Sequence, residues 1–184
     1  MRIVAGELRG RRLVAPPPTT TRPTTDKVRE AVFNALASLD VVVGALVVDL
    51  YAGSGALGIE ALSRGAEHCT FVERDRVAVR AIDENVATLG LRSRARVVVG
   101  DAIAAAPSVD ADLAFADPPY GFADWPRLLR AVRAPLLVAE AEVAVAEDLA
   151  AAQGWERGRV KRYGRTWVSF LHRLDELDEP VAPA

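Results

Sequence analysis

The architecture of this chain can be traced from residues 47–58, Val47-Val48-Asp49-Leu50-Tyr51-Ala52-Gly53-Ser54-Gly55-Ala56-Leu57-Gly58. The apolar run that ends near Asp49 predicts a buried strand, and a helical pattern starts near Leu57. Between and beyond them, Gly53, Gly55 and Gly58 form the spacing GxGxxG. Missing Cβ atoms let backbone approach a ligand, and the N–H groups at the start of the helix point at it. The stretch therefore predicts a strand, a ligand-binding turn and a helix.

The alternation of a short apolar strand and a helix repeats along the chain from residue 45. Short apolar runs that alternate with helical patterns are typical of a parallel sheet covered by helices on both faces. The predicted strands are Ala45–Leu50, Cys69–Val72, Val97–Val99, Leu113–Ala116 and Val143–Ala146, and the predicted helices are Leu57–Arg64, Val77–Leu89 and Pro126–Arg133. Two final runs, Gly158–Lys161 and Thr166–Leu171, are joined by a short turn at Tyr163-Gly164-Arg165. The sheet is therefore predicted to end in an antiparallel pair.

The N-terminal residues are predicted to form a small β-hairpin. Arg2–Ala5 and Arg11–Val14 flank a glycine-containing turn, and the prolines and threonines of residues 16–21 cannot extend a strand or the interior of a helix. A helix is expected next, with an N-cap among residues 24–26 and Val28, Val32 and Leu36 on one face. We divide the chain into a hairpin and linker (1–21), a main domain (22–173) and an acidic tail expected to fray (174–184).

Length and composition exclude several classes of protein. The chain has 184 residues, of which 51% are hydrophobic and 26% charged, so we expect one domain with a real core. No uncharged stretch approaches the roughly 20 apolar residues of a membrane span, and the N-terminus lacks the apolar core of a secretory signal. We therefore expect a cytoplasmic protein. Cys69 is the single cysteine, and the two histidines lie far apart in sequence, which excludes an intrachain disulfide and a cysteine-rich zinc site.

Positive charge is concentrated in two places, although the net charge is -2. Residues 1–30 carry seven basic and three acidic side chains, and residues 155–165 carry five basic and one acidic. Each cluster is either part of a footprint for a polyanion or an ordinary solvated surface.

Acidic residues follow three successive predicted strands. Asp49 lies at the end of the first, Glu73 follows the second, and Asp101 follows the third. A dinucleotide would place a pyrophosphate against the glycine-rich turn, where Asp49 would repel it. Asp49 suits instead the cationic aminoacyl end of S-adenosylmethionine, while Glu73 can accept hydrogen bonds from ribose hydroxyls and Asp101 from the adenine amino group.

A second motif, Asp117-Pro118-Pro119-Tyr120, follows the fourth predicted strand. The two prolines remove two N–H donors and stiffen the loop, so the Asp117 carboxylate and the Pro118 carbonyl can project as fixed acceptors. Two acceptors that hold the hydrogens of a planar exocyclic amine help it to become pyramidal, and Tyr120 offers a face on which the base can stack. The motif is similar to the acid-Pro-Pro-aromatic motif of methyltransferases that act on adenine N6, cytosine N4 or guanine N2.

The chain as a whole resembles the bacterial 16S rRNA guanine-N2 methyltransferase family of RsmD type. The likeness rests on the segment Arg22–Asn34, the turn Asp49–Gly58, the motif Asp117–Tyr120 and the Tyr163-Gly164 turn. It implies an α/β fold of the Rossmann-like class I type, with a mostly parallel seven-stranded sheet, an antiparallel C-terminal pair and a small N-terminal hairpin. It also implies methyl transfer from S-adenosylmethionine, with S-adenosylhomocysteine as product, to the N2 amine of one guanine in small-subunit rRNA.

The resemblance also implies roles for individual residues. The cofactor would be held by Asp49, Tyr51, Gly53, Ser54, Gly55, Gly58, Glu73 and Asp101. The guanine would be held by Asp117, Pro118, Pro119 and Tyr120. Substrate or RNA contacts would come from Arg9, Arg11, Arg12, Arg22, Thr24, Asp26 and Arg29. From the residues alone, Arg22 and Arg29 are either phosphate contacts or partners in helix ion pairs with Asp26 or Glu30.

Two other functions stay open at this stage. A DNA adenine-N6 methyltransferase uses the same four-residue motif, although it normally carries an added target-recognition region. A non-catalytic nucleic-acid-binding or assembly factor would keep the cofactor fold as a scaffold. The expected partner is 16S rRNA in an assembled or partly assembled small subunit, with no metal ion and a monomeric protein.

Overall fold

A computed structural model describes residues 1–16 and 26–174 of the chain. The strands are β1 (Leu46–Leu50), β2 (His68–Glu73), β3 (Ala95–Val99), β4 (Leu113–Ala116), β5 (Leu136–Ala141), β6 (Trp155–Tyr163) and β7 (Thr166–Arg173). The α-helices are α1 (Asp26–Leu39), α2 (Ala56–Ser63), α3 (Arg76–Thr88), α4 (Ala102–Ala105), α5 (Trp125–Ala131) and α6 (Glu147–Ala151). Short 3₁₀ helices cover Arg92–Arg94 and Ala106–Ser108.

The strands form one seven-stranded sheet in the order β3-β2-β1-β4-β5-β7-β6. Strands β1 to β5 are parallel, and β7 lies antiparallel to both β5 and β6. The predicted Rossmann-like α/β fold with an antiparallel C-terminal pair is therefore confirmed. We call the edge where β1 to β5 end the carboxyl edge and the edge where they begin the amino edge. In open α/β sheets, ligands bind at the carboxyl edge near the point where the strand order reverses.

The predicted fifth strand was placed wrongly. Residues 143–146 form a loop, and β5 lies earlier, over Leu136–Ala141. Val143 is 73% exposed, whereas residues 136–140 are buried between β4 and β7. The pattern misleads because Glu140, an acid, lies in the buried part of the strand with 2% of its surface exposed.

Each face of the sheet carries its own apolar core. On one face, α1, α2 and α3 pack on the strands, and the rings of Phe33 and Phe115 meet at 5.5 Å between centroids. On the other face, α4, α5 and α6 cover residues such as Leu137 and Leu171. There the indole N–H of Trp155 donates to the carbonyl of Leu129 at 2.9 Å, which satisfies the polar atom of a fully buried side chain.

The N-terminal segment packs against α2. Its two arms are joined by a single β-bridge, between Arg2 and Arg12, and the buried side chains of Ile3 and Leu13 belong to the first core. The turn lies at the amino edge, because the N–H of Glu7 donates to the carbonyl of Ser63, the last residue of α2, at 2.8 Å.

Candidate active site

The glycine-rich turn adopts a left-handed backbone at three positions. Tyr51, Gly53 and Gly55 have φ values of 60°, 57° and 76°. For Tyr51, a residue with a Cβ atom, this conformation costs roughly 1 kcal/mol, which the surrounding structure must offset. Gly55 is the N-cap of α2 and has no side chain to cap the first N–H groups of the helix. The turn thus presents backbone donors at the carboxyl edge.

Asp49 lies buried beneath this turn. Its Oδ2 accepts the N–H of Gly58 at 2.9 Å, which fixes the start of α2 over the end of β1. Burial, together with the nearby carboxylates of Asp117 and Glu73, raises the pKa of Asp49 to about 8, against the opposing effect of the Gly58 hydrogen bond. The structure therefore brings Asp49, Glu73 and Asp117, at or just after the ends of β1, β2 and β4, close enough to interact.

Glu73 holds the turn from the other side. Its Oε2 accepts the N–H of Gly53 at 2.8 Å, and its Oε1 accepts the N–H groups of Arg74 and Asp75, both at 2.8 Å. Asp101 caps α4 by accepting the N–H of Ala104 at 3.0 Å. Both acids stand at the carboxyl edge where the sequence analysis expects ribose and adenine contacts.

Gly58 is required for packing. A Cβ atom built there would lie 2.4 Å from Cε1 of Phe71 and 2.5 Å from Sγ of Cys69, so α2 can approach β2 this closely only because the position is glycine. A Cβ atom at Gly53 would meet nothing closer than 4.0 Å. The space for a ligand is therefore at Gly53, whereas the absent side chain of Gly58 faces the sheet.

The Asp-Pro-Pro-Tyr motif leaves β4 at the same edge. Pro118 is buried and Asp117 is partly buried, while Tyr120 is 54% exposed and offers its ring to solvent. The loop is held from behind, because the N–H of Gly121 donates to Oε2 of Glu142 at 2.9 Å just after β5 ends. Sequence reasoning missed this tether, and no sequence signal in the chain points to it.

Three aromatic rings form a row that connects the glycine-rich turn to the loop after the Asp-Pro-Pro-Tyr motif. The ring centroids of Tyr51 and Phe122 are 5.6 Å apart, and those of Phe122 and Trp125 are 5.2 Å apart, both in edge-to-face geometry. Burial and, to a smaller extent, the charge of Asp101 raise the pKa of Tyr51 to about 12. Phe122 and Trp125 therefore extend the site from Tyr51, and the sequence analysis did not include them.

Asn85 is a second residue that sequence reasoning missed. Its amide nitrogen donates to the carbonyls of Val14 and Ser54 at 2.9 and 3.0 Å, and its oxygen accepts the N–H of Val14 at 2.8 Å. Asn85 is 2% exposed and thus connects the glycine-rich turn to the N-terminal segment. The available signal was a polar residue on the otherwise apolar face of α3.

Arg29 is not available to a phosphate in this structure. It is fully buried, donates to the carbonyl of Arg2, pairs with Asp26 at 2.9 Å, and lies 3.4 Å from the carboxylate of the buried Glu60. The ion-pair alternative is therefore the one observed. Glu60 also accepts the N–H groups of Val4 and Ala5, so this cluster anchors the N-terminal segment.

Among the described residues, Arg9 and Arg11 lie away from the carboxyl edge. Arg9 lies in the N-terminal turn at the amino edge, and Arg11 donates to the carbonyl of Thr88, the last residue of α3, at 3.1 Å. Arg12 is exposed on the same segment. Arg22 and Thr24 lie outside the described residues.

The described ranges contain neither a membrane-spanning helix nor a metal site. Within residues 1–16 and 26–174, every helix is too short or too polar to cross a bilayer. In the same ranges, no group of three His, Cys, Asp or Glu side chains is arranged to hold a metal ion.

Residues 1–172 match the protein family described as Conserved hypothetical protein 95. The chain belongs to this family, which is the RsmD type. It is 45% identical over 122 residues to "Ribosomal RNA small subunit methyltransferase D" of Escherichia coli, and the match covers 65% of this chain and 60% of that protein. It is 46% identical over 125 residues to "Putative rRNA methyltransferase YlbH" of Bacillus subtilis, which covers 65% of this chain and 67% of the relative.

A solved structure supports the same assignment. The structure titled "Putative methyltransferase yhhF from Escherichia coli" superposes with a TM-score of 0.80 at 36% identity and covers 95% of this chain and 98% of that one. The match thus extends over nearly the whole of both chains.

Proposed function

We propose that this protein transfers a methyl group from S-adenosylmethionine to the exocyclic N2 amine of a guanine in 16S rRNA. The observation that carries the proposal is the Asp117–Tyr120 motif, which leaves β4 beside the acids Asp49 and Glu73 at the carboxyl edge. The relatives' names, which refer to rRNA methylation, support the reaction class and the substrate.

The residues at this edge fit S-adenosylmethionine by their chemistry. Burial and neighbouring acids make the ionised form of Asp49 unfavourable, and a nearby cation would stabilise that form. The ammonium group of the cofactor would supply this cation. Glu73 and Asp101 would accept hydrogen bonds from the ribose and the adenine, and the open start of α2 would face the carboxylate of the methionine part. When bound, the cofactor supplies a methyl group already activated by its sulfonium centre.

The chain's own residues would prepare the amine. The nitrogen lone pair of guanine N2 is delocalised into the base, so the amine is a weak nucleophile. The Asp117 carboxylate and the Pro118 carbonyl would accept its two hydrogens and favour a pyramidal nitrogen, while the exposed ring of Tyr120 stacks on the base. Asp117 or water then takes the proton that the amine loses. Because positioning dominates, no nucleophilic side chain is required.

The base would have to leave its stack to reach this loop, as in other enzymes that modify nucleobases. We expect an assembled or partly assembled small subunit as substrate, because two small basic clusters carry too little information to select one base by sequence. We also expect a monomer in the cytoplasm. The arginines of the N-terminal turn would contact RNA on a different part of the surface from the active site.

The test is to incubate the purified protein with radiolabelled S-adenosylmethionine and, separately, unmodified small subunits, protein-free rRNA and unmethylated DNA. Label in N2-methylguanosine from rRNA is the expected result, and Asp117→Ala should abolish it while S-adenosylhomocysteine still binds. Label in N6-methyladenine of DNA would replace the proposal with the DNA methyltransferase. Cofactor binding without label in any substrate would indicate the non-catalytic factor.

A further inference from the structure

The second basic cluster of the sequence, in residues 155–165, has no contact assigned to it in the function proposed above. The sheet register shows where it lies. Trp167 of β7 pairs with Ala141 at the end of β5 on one side and with Arg162 of β6 on the other. The turn at residues 163–166 therefore reaches the carboxyl edge, which also carries the Asp117–Tyr120 loop.

The cluster divides into two parts with different surroundings. Arg157 pairs with Glu147 at 2.8 Å and donates to the carbonyl of Val145 at 3.1 Å, so it is engaged within the protein. A register shift between Arg157 and Val160 separates it from the rest of β6. Beyond that shift, the side chains of Lys161, Arg162 and Arg165 are exposed. We call this second part the hairpin tip.

Two cations of the hairpin tip are positioned against aromatic rings. The guanidinium carbon of Arg162 lies 5.7 Å from the ring centroid of Trp167, and Nε of Arg162 donates to the carbonyl of Gly164 at 2.9 Å. The ammonium of Lys161 lies 5.3 Å from the ring centroid of Tyr163. Side chains held in this way lose less conformational entropy when they bind a ligand.

Along the β6–β7 hairpin itself, the charged side chains from residue 157 onward have one sign. Residues 157–174 contain no Asp or Glu, although the whole chain carries a net charge of -2. Such a local excess of positive charge on an acidic protein attracts a polyanion. Cations interleaved with partly exposed aromatic rings are typical of surfaces that bind single-stranded nucleic acid, where phosphates meet the cations and bases stack on the rings.

We propose that the hairpin tip binds the phosphate backbone of single-stranded RNA next to the target base. Arg162 and Arg165 contact phosphates, and Trp167 offers a stacking face at the same edge as Tyr120. The inference rests on the proposed function, because it takes the strand that presents a base to Asp117 as the ligand. An acidic polypeptide would meet the same charges but would not need the rings.

The experiment measures RNA binding without catalysis. A fluorescein-labelled single-stranded RNA of about 20 nucleotides, a length that spans one binding groove, is titrated with the full chain at several salt concentrations and followed by anisotropy. The double variant Arg162→Glu/Arg165→Glu is compared with Arg130→Glu/Arg133→Glu, which makes the same change in charge at the exposed end of α5. That helix ends where β5 begins, at the amino edge.

The tip variant is expected to bind RNA at least about tenfold more weakly than the wild type. Its slope of log affinity against log salt should fall by about 1.4, since each phosphate contact to a single strand contributes about 0.7. Trp167→Leu should weaken binding with the slope unchanged. Equal losses in the two double variants, or wild-type binding by the tip variant, would overturn the proposal. So would competition by poly-glutamate as effective as competition by unlabelled RNA.

Methyl transfer and cofactor binding are measured on the same proteins, which separates the two proposals. If the wild type labels no guanosine while the tip still governs RNA affinity, the proposed function fails and the tip survives. If guanosine is labelled equally well by the wild type and the tip variant, and their RNA affinities agree, the tip proposal fails alone. S-adenosylhomocysteine should bind the tip variant as it binds the wild type.

Discussion

Replacing the buried Asp49 by asparagine separates the effect of this carboxyl group on folding stability from its effect on cofactor binding. Asparagine has nearly the same shape, and its side-chain oxygen can still accept the N–H of Gly58. The variant differs mainly in that it cannot ionise. We therefore expect Asp49→Asn to be more stable than the wild type at neutral pH and to bind the cofactor less tightly.

The magnitude follows from the pKa of Asp49, which burial raises from 3.8 to about 8. The folded protein holds this proton at pH values where the unfolded chain has released it, so stability falls as the pH rises from 3.8 towards 8. At pH 7, ionisation of Asp49 stabilises the unfolded state by about 4 kcal/mol relative to the folded state, which keeps the proton. At pH 4 this stabilisation is less than about 1 kcal/mol. The free energy of unfolding that Asp49→Asn gains over the wild type should increase with pH in the same way.

Urea unfolding followed by circular dichroism at pH 4, 5.5 and 7 measures this difference. The expected result is two curves of equal m-value whose free energies of unfolding converge at pH 4 and separate as the pH rises. A difference that stays constant over this range would refute the assigned pKa. Calorimetry with S-adenosylhomocysteine in buffers of different ionisation enthalpy should show proton release at pH 7 from the wild type and none from the variant.

Three other substitutions test the supporting contacts. Gly58→Ala should lower the free energy of unfolding in urea by about 1–3 kcal/mol because α2 must move away from β2. Gly100→Ala, in open space at an ordinary φ, should change it little, and similar losses in the two variants would contradict the packing role of Gly58. Glu60→Leu removes the buried carboxylate beside Arg29, which keeps its ion pair with the exposed Asp26. The change also removes the acceptor of the Val4 and Ala5 N–H groups, so it should cost about 3–5 kcal/mol, and a thermal midpoint within a few degrees of the wild type would argue against the buried cluster. Asn85→Ala removes the partners of Val14 and Ser54 and should cost about 2–3 kcal/mol, with faster hydrogen exchange at the Val14 amide; unchanged exchange there would contradict the tether.

The overall fold could be predicted because two local signals agree. Apolar runs buried on both faces identify β1, β2 and β4 almost to the residue, and the turn at Gly53 marks where the first strand meets its helix. The antiparallel pair follows from a connection too short for a crossover helix. These features depend on neighbouring residues in the sequence, so no tertiary information is needed.

The errors concern residues whose role depends on distant parts of the chain. The residues around Arg29 in the sequence are typical of a surface cation, but Arg29 is buried because Glu60, on another helix, lies beside it. Glu140 is an acid inside the buried strand β5, so the sequence there does not show the continuous apolar run of a strand covered on both faces. Asn85 connects segments 71 and 31 residues away, and such a connection leaves no local pattern.

The direction of β7 has a practical consequence. Since this strand runs against β5, it carries the chain back to the amino edge, where the N–H of Arg173 donates to the carbonyl of Pro135 at 2.8 Å. Leu174 thus lies on the side of the sheet opposite the carboxyl edge. A fluorescent reporter or an immobilisation handle joined directly after Leu174 would be attached at the amino edge, so the protein can be anchored to a surface with its carboxyl edge towards solution.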